Sequence, residues 1–143
     1  MQEKTKVWIS LAEEDLKASS ELLEFADLPK AILFHCQQAV EKIFKAVLEE
    51  YNLRVPKIHN IEELYRLMPD AVRNEMNVEP DTLSRLSDIY IDTRYPSDLG
   101  LLPTGLPTKE DAEEIFQIAS DIVQKTKQNL ESKLTNEQGN VSE

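Results

Sequence analysis

His35, Gln38, Lys42 and Lys45 recur at alternating steps of three and four residues, and Glu49 continues the series. On an α-helix that spacing makes one continuous polar stripe. Two ammonium groups and an imidazole on one ridge suit an anion such as phosphate. The imidazole adds charge only when protonated, near its ordinary pKa of about 6.5. The other reading of the stripe is the solvated face of an amphipathic helix. Glu41 stands four residues before Lys45, an ordinary stabilising pair of about 0.3 kcal/mol. Gln37 falls off the stripe beside Val40 and Phe44, where an amide is costly unless paired, so it is expected to be partly buried and hydrogen-bonded.

Arg94-Tyr95-Pro96 joins a planar cation, a stacking ring and a rigid turn, a set suited to phosphate and nucleobase contact. The alternative is an Arg paired with Asp15 and a Tyr packed over the following loop. Asp15 lies midway along the inward face of the first helix and needs a partner there, with Arg94 the expected one. His59 precedes a capping Asn60 and either satisfies loop backbone or supports the site. Cys36 sits on the apolar side of its helix and reads as a small buried hydrophobe. Its neighbour His35 diverges from it by about 100°, so the two do not share a site. Two His and one Cys do not supply the spaced ligand pairs of a zinc centre, and no glycine-rich phosphate loop occurs. No catalytic residue, metal or cofactor is expected.

These residues need elements to position them. Residues 31–50 contain neither Gly nor Pro and carry Ile32, Leu33, Cys36, Ala39, Val40, Ile43, Phe44, Val47 and Leu48 on one broad arc, which predicts the central helix. A first helix over residues 5–26 turns Trp8, Leu11, Ala12, Leu16, Ser19, Leu22 and Leu23 inward. Asp27-Leu28-Pro29 breaks it, and so short a link implies an antiparallel hairpin. After a loop containing Pro56, Asn60 and Glu63 form a capping-box pattern for a third helix, which Pro69 ends or kinks. A fourth helix over about 80–93 places Leu83, Leu86, Tyr90 and Arg94 inward and stops where Pro96 forces Tyr95 to extend. Residues 97–107 read as an irregular surface loop. Thr108 and Asp111 cap a last long amphipathic helix. The fold expected is all-α, an antiparallel bundle of about five helices with a four-helix up-and-down core over residues 1–134, followed by a disordered polar tail at 135–143.

Composition agrees. The 143 residues suit one domain, and three Gly with 6% aromatic residues favour helix over sheet. A net charge of −11 argues against a generic nucleic-acid surface, so DNA is not an expected ligand. A single Cys allows no intramolecular disulfide, and no apolar run approaches the roughly 20 residues of a membrane span. A reducing cytoplasm is the expected location.

Four stretches together carry a family resemblance: Ala12-Glu13-Glu14-Asp15-Leu16, Phe34-His35-Cys36-Gln37-Gln38-Ala39-Val40-Glu41-Lys42, His59-Asn60-Ile61-Glu62-Glu63-Leu64 and Thr93-Arg94-Tyr95-Pro96. The chain resembles HEPN-domain proteins of the prokaryotic branch that stands alone beside a minimal nucleotidyltransferase. The resemblance implies a helical bundle that forms a homodimer, nucleotide or RNA as ligand, and a nucleotidyltransferase partner in a toxin–antitoxin-like pair. Catalytic relatives are metal-independent endoribonucleases that use an Arg followed about four to six residues later by a His. Here Arg94 is followed by Tyr-Pro-Ser-Asp-Leu-Gly, without a His. Arg54 and His59 match that spacing in a different loop, across Pro56, and are read as coincidence. The expectation is a nucleotide- or RNA-binding module whose site gathers His35, Gln38, Lys42, Lys45, Arg94 and Tyr95, with Asp15, Gln37 and His59 in support. The rivals are a metal-independent endoribonuclease and a protein-binding adaptor.

Overall fold

The computed structural model describes the backbone of residues 1–94 and 107–141 and the side chains of residues 1–90 and 107–133. Its elements are α1 (Glu3–Leu22), α2 (Pro29–Glu50), α3 (Ile61–Leu67), α4 (Asp70–Met76), α5 (Pro80–Arg94) and α6 (Lys109–Val141). No strand occurs among the described residues, and no helix among them is long and apolar enough to cross a membrane.

The hairpin of α1 and α2 follows from local chemistry. Pro29 occupies the first turn of α2, where its missing N–H leaves no hydrogen bond unmade. At the far end α2 stops on Asn52, whose φ of 57° is left-handed; the N–H groups of Asn52 and Leu53 return to the carbonyls of Glu49 and Leu48 at 3.0 and 2.9 Å. That pattern satisfies the last carbonyls of a helix. The start of α1 lies against this end: the Gln2 side-chain amide donates to the Glu50 carbonyl at 3.3 Å and to Asn52 Oδ1 at 2.8 Å. The pairing is therefore antiparallel, as the short link implies.

Where the sequence suggests about five helices, six are present among the described residues. Pro69 ends one short helix and begins another. Tyr65 holds the two together: its hydroxyl donates to the Arg73 carbonyl at 3.0 Å and accepts from the Val78 N–H at 3.3 Å. Asn60 caps α3 by accepting from the Glu63 N–H at 3.0 Å, while the Glu63 side chain turns to Arg66 instead of completing a reciprocal box. Thr108 and Asp111 do complete one at the start of α6, at 2.9 and 3.1 Å. The backbone of α6 is helical to Val141, past residue 134 where the sequence suggests that a tail begins.

The core is built around α2, which packs against α1, α3, α5 and α6. Ile32, Cys36, Ala39, Val40, Ile43, Phe44, Ala46, Val47 and Leu48 are all fully buried. On α1 the inward row runs through Thr5, Ile9, Ala12 and Ser19. Leu11 is a correction: expected inward, it is 37% exposed, because it stands about 120° around the helix from the centre of that row.

Candidate functional site

One turn of helix separates Gln37 from Glu41 and another separates Glu41 from Lys45, so these three side chains share a ridge of α2. That ridge is covered. Glu41 is only 4% exposed and Lys45 6%, with Lys45 Nζ 3.4 Å from Glu41 Oε2 and 5.6 Å from the centre of the Trp8 ring. The pair expected from the spacing of Glu41 and Lys45 is present, but it is buried and so is more than an ordinary i,i+4 contact. Trp8 of α1 and the loop before α3 close over the pair, so it is a buried ion pair whose members depend on each other.

His59 reaches this pair from the loop. Its Nδ1 lies 3.0 Å from Glu41 Oε1, and its ring stacks on Tyr90 of α5 with centroids 4.7 Å apart and planes 11° from parallel. Gln37 fulfils its expectation. It is 1% exposed, its Nε2 donates to the His59 carbonyl at 3.3 Å and to Glu41 Oε1 at 3.5 Å, and its Oε1 accepts from Gln38 Nε2 at 2.7 Å.

A second ridge of α2 carries His35 and Lys42. There Asp15 of α1 receives Lys42 Nζ at 2.6 Å on one oxygen and His35 Nδ1 at 2.9 Å on the other. An ionised carboxylate only accepts, so the contacts of His35 and His59 are each a hydrogen bond for an imidazole that carries a proton on Nδ1. The expected pairing of Asp15 with Arg94 falls on a side chain outside the described residues; Asp15 is paired inside the bundle as the sequence requires, and its partners among the described residues are His35 and Lys42. The physical reason is register: residues seven apart on α2 lie on the same face, two turns apart, and grip one carboxylate between them. His35 and Lys42 remain 31% and 23% exposed at the side chain, whereas Lys45 does not open to solvent.

The structure thus brings His35 and Lys42 together on Asp15, and separately joins Gln38 through Gln37 to Glu41, Lys45 and His59. Arg94 is the last residue of α5; its side chain and the whole of Tyr95 lie outside the described residues, and so does their expected approach to the stripe. Glu41, Tyr90 and Trp8 are site residues that sequence reasoning missed. A carboxylate between Gln37 and Lys45, each one turn away, was the available signal for Glu41. Nothing in the sequence announces that Tyr90 meets His59.

Cys36 is apart from this network. Its thiol donates to Ser19 Oγ at 3.4 Å, and burial pushes its pKa up to about 11, the Ser19 bond lowering it and Asp15 raising it by lesser amounts. A groove of about 430 Å³ between α1 and α6, lined by Lys6, Ser10, Glu13 and Lys127 among others, contains none of the network residues.

A helical bundle with a buried polar ladder on its second helix is an architecture; its family is decided by sequence. The model of the HEPN domain matches residues 5–130. The chain belongs to the HEPN domain family. It is 32% identical over 138 residues, 90% of this chain and 89% of the relative, to the Methanocaldococcus jannaschii protein named "Putative toxin MJ1304". The crystal structure of TT1696 from Thermus thermophilus superposes with a TM-score of 0.73 at 26% identity, covering 89% of this chain and 98% of that one. ST0689, described as an archaeal HEPN homologue, shares the fold at a TM-score of 0.66 and 23% identity over 91% of this chain and 99% of that one. The HEPN match spans α1 to α5 and most of α6, so every residue of the network lies inside the family domain.

Proposed function

We propose that this HEPN protein is a toxin-like, cytoplasmic homodimer that binds a nucleotide or an RNA end and acts with a minimal nucleotidyltransferase as partner. The observation that carries the reading is a pair of hydrogen-bonded polar clusters along α2, His35 and Lys42 on Asp15 and His59 with Lys45 on Glu41, in which His35, Lys42 and His59 are partly exposed and fixed at their inner ends. Fixed, partly exposed polar groups inside a family domain favour recognition over a merely solvated helix face. Similarity to a protein named as a toxin supports the toxin-like part.

Charge decides how the members divide the work. Lys45 is committed to Glu41 under Trp8 and serves to hold the ladder. Lys42 is held by Asp15, so an arriving phosphate gains it by competing with a carboxylate, and net attraction must come from further cations, of which Arg94 is the candidate. In a chain of charge −11 such binding weakens with salt. Because no His follows Arg94 at the spacing of the catalytic relatives, the reading assigns binding rather than hydrolysis.

Calorimetric titration with ATP and with a short single-stranded RNA, beside an RNA cleavage assay in metal-free buffer, tests this. Saturable binding that Lys42→Ala and Arg94→Ala weaken, without cleavage, is the expected result. Cleavage that Arg94→Ala abolishes would make the protein a ribonuclease, and absence of both binding and cleavage would leave the adaptor reading.

A further inference from the structure

His59 is held more firmly than a loop residue needs to be. Its side chain is 47% exposed, yet its Nδ1 is anchored to a carboxylate that is 5% exposed. Its carbonyl is anchored to the same helix by the buried Gln37 amide, and one face of its ring is backed by Tyr90. Asn60, the next residue, is fixed as the cap of α3. Packing the loop onto α5 would require only an apolar ring. Burying Glu41 to fix the imidazole costs desolvation that such packing never incurs. What the extra fixation supplies is orientation: a flat, half-exposed ring held in one plane from three directions.

The electrostatics of the clamp suit an anionic visitor. The second oxygen of Glu41 is taken by Lys45, so the buried carboxylate is neutralised from within. Its charge is not presented through the imidazole to solvent. A planar group that stacks on a fixed aromatic ring loses little freedom of the protein on binding, and every nucleobase offers such a face.

We infer that the His59 ring, clamped by Glu41 and Gln37 and backed by Tyr90, is the seat on which a nucleobase stacks, whether it comes from a free nucleotide or from single-stranded RNA. The inference rests on the nucleotide- or RNA-binding reading above and adds the place and mode of base recognition. It moves the stacking role from Tyr95 to His59. Gln37, which holds the backbone of the seat, also accepts from Gln38 of the polar stripe, so the seat lies beside that member of the stripe.

Two substitutions separate ring from hydrogen bond. His59→Gln keeps a donor for Glu41 and removes the ring; His59→Phe keeps the ring and removes the donor. The full chain and both variants, checked for native helicity by circular dichroism, are titrated with ATP, with a short oligoadenylate RNA and with ribose 5-phosphate, which has no base. The expected result is that His59→Gln weakens binding of ATP, RNA or both by about tenfold or more, that His59→Phe stays within about threefold of wild type, and that ribose 5-phosphate does not distinguish the three proteins. Loss confined to ATP identifies a free nucleotide as the source of the base, and loss confined to RNA identifies the strand. If wild type binds and His59→Gln binds equally well, or if Phe and Gln lose equally, the stacking seat is wrong while nucleotide binding stands. If wild type binds neither ATP nor RNA, the reading beneath it fails as well.

Discussion

Removing Glu41 without removing Lys45 is the most informative perturbation of this fold. In the native state the Lys45 side chain is 8% exposed, and its carboxylate partner among the described residues is Glu41 at 3.4 Å. Glu41→Met keeps the volume and removes the charge. The ammonium is then left with the Trp8 ring at 5.6 Å, which offsets only about 0.5–2 kcal/mol, and His59 loses its anchor. Breaking a buried pair from one side costs about 3–5 kcal/mol. With the ring retained, about 3 kcal/mol is expected, a fall in Tm of roughly 10 °C for a chain of this size. Lys45→Met should cost less, about 1–2 kcal/mol, because Glu41 keeps the His59 and Gln37 donors. The double Met variant removes both charges together and should be less destabilised than Glu41→Met alone, since an apolar pair of similar volume replaces a buried ion pair at little cost. Urea unfolding followed by far-ultraviolet circular dichroism gives all four corners of the cycle. A Glu41→Met cost below about 1 kcal/mol, or single costs that add within about 0.5 kcal/mol, would refute the burial and coupling described for this pair.

On the other ridge, Asp15→Asn should cost about 1–2 kcal/mol and couple to Lys42→Ala in a double-mutant cycle, less than the Glu41 pair because Lys42 is 23% exposed and can turn to solvent; a loss under about 0.5 kcal/mol would mean that Asp15 bears no load. The Cys36 thiol, pushed up to about 11 from 9.0, should resist a thiol reagent at pH 8 in native protein and react after unfolding. Because its folded pKa is the higher one, its contribution to stability is complete below pH 9 and is lost as pH rises toward 11, which unfolding midpoints across that range would detect. For the proposed homodimer, Val7 and Leu11 of α1, 57% and 37% exposed, are the surface to disrupt. Light scattering should report twice 16.4 kDa for wild type and a smaller mass for Val7→Asp with Leu11→Asp, and a wild-type monomer at micromolar concentration would end the dimer reading.

The apolar arc of α2, the hairpin break at Pro29 and the caps at Asn60 and Thr108 were legible because each rests on interactions within a few residues. The burial of Gln37 was legible for the same reason, an amide placed beside Val40 and Phe44. The burial of Glu41 and Lys45 was not. Helical spacing says that two residues share a face, but not what lies over it, and here Trp8 and His59 arrive from 37 positions before Lys45 and 18 positions after Glu41. Asp15 was correctly expected to need a partner, but charge alone did not point to His35 and Lys42 of α2. That pairing depends on the rotation of α1 against α2, which also exposes Leu11. Tyr90 was read as inward without a partner, because its contact with His59 joins α5 to a loop far away in sequence.

The enclosure of α2 bears on how this chain can vary. Between Gln37 and Lys45 each residue answers a different neighbour, so one inserted residue would turn everything beyond it by about 100° and advance it by about 1.5 Å. Glu41 would leave His59, Lys42 would leave Asp15, and an apolar position would be carried into the polar ladder. Gradual change in length is closed to this segment, which can drift only by substitutions that respect several contacts at once. Insertions instead have an outlet in the turn around Phe25 and Asp27, where the chain between α1 and α2 is exposed and no side chain of the ladder is anchored.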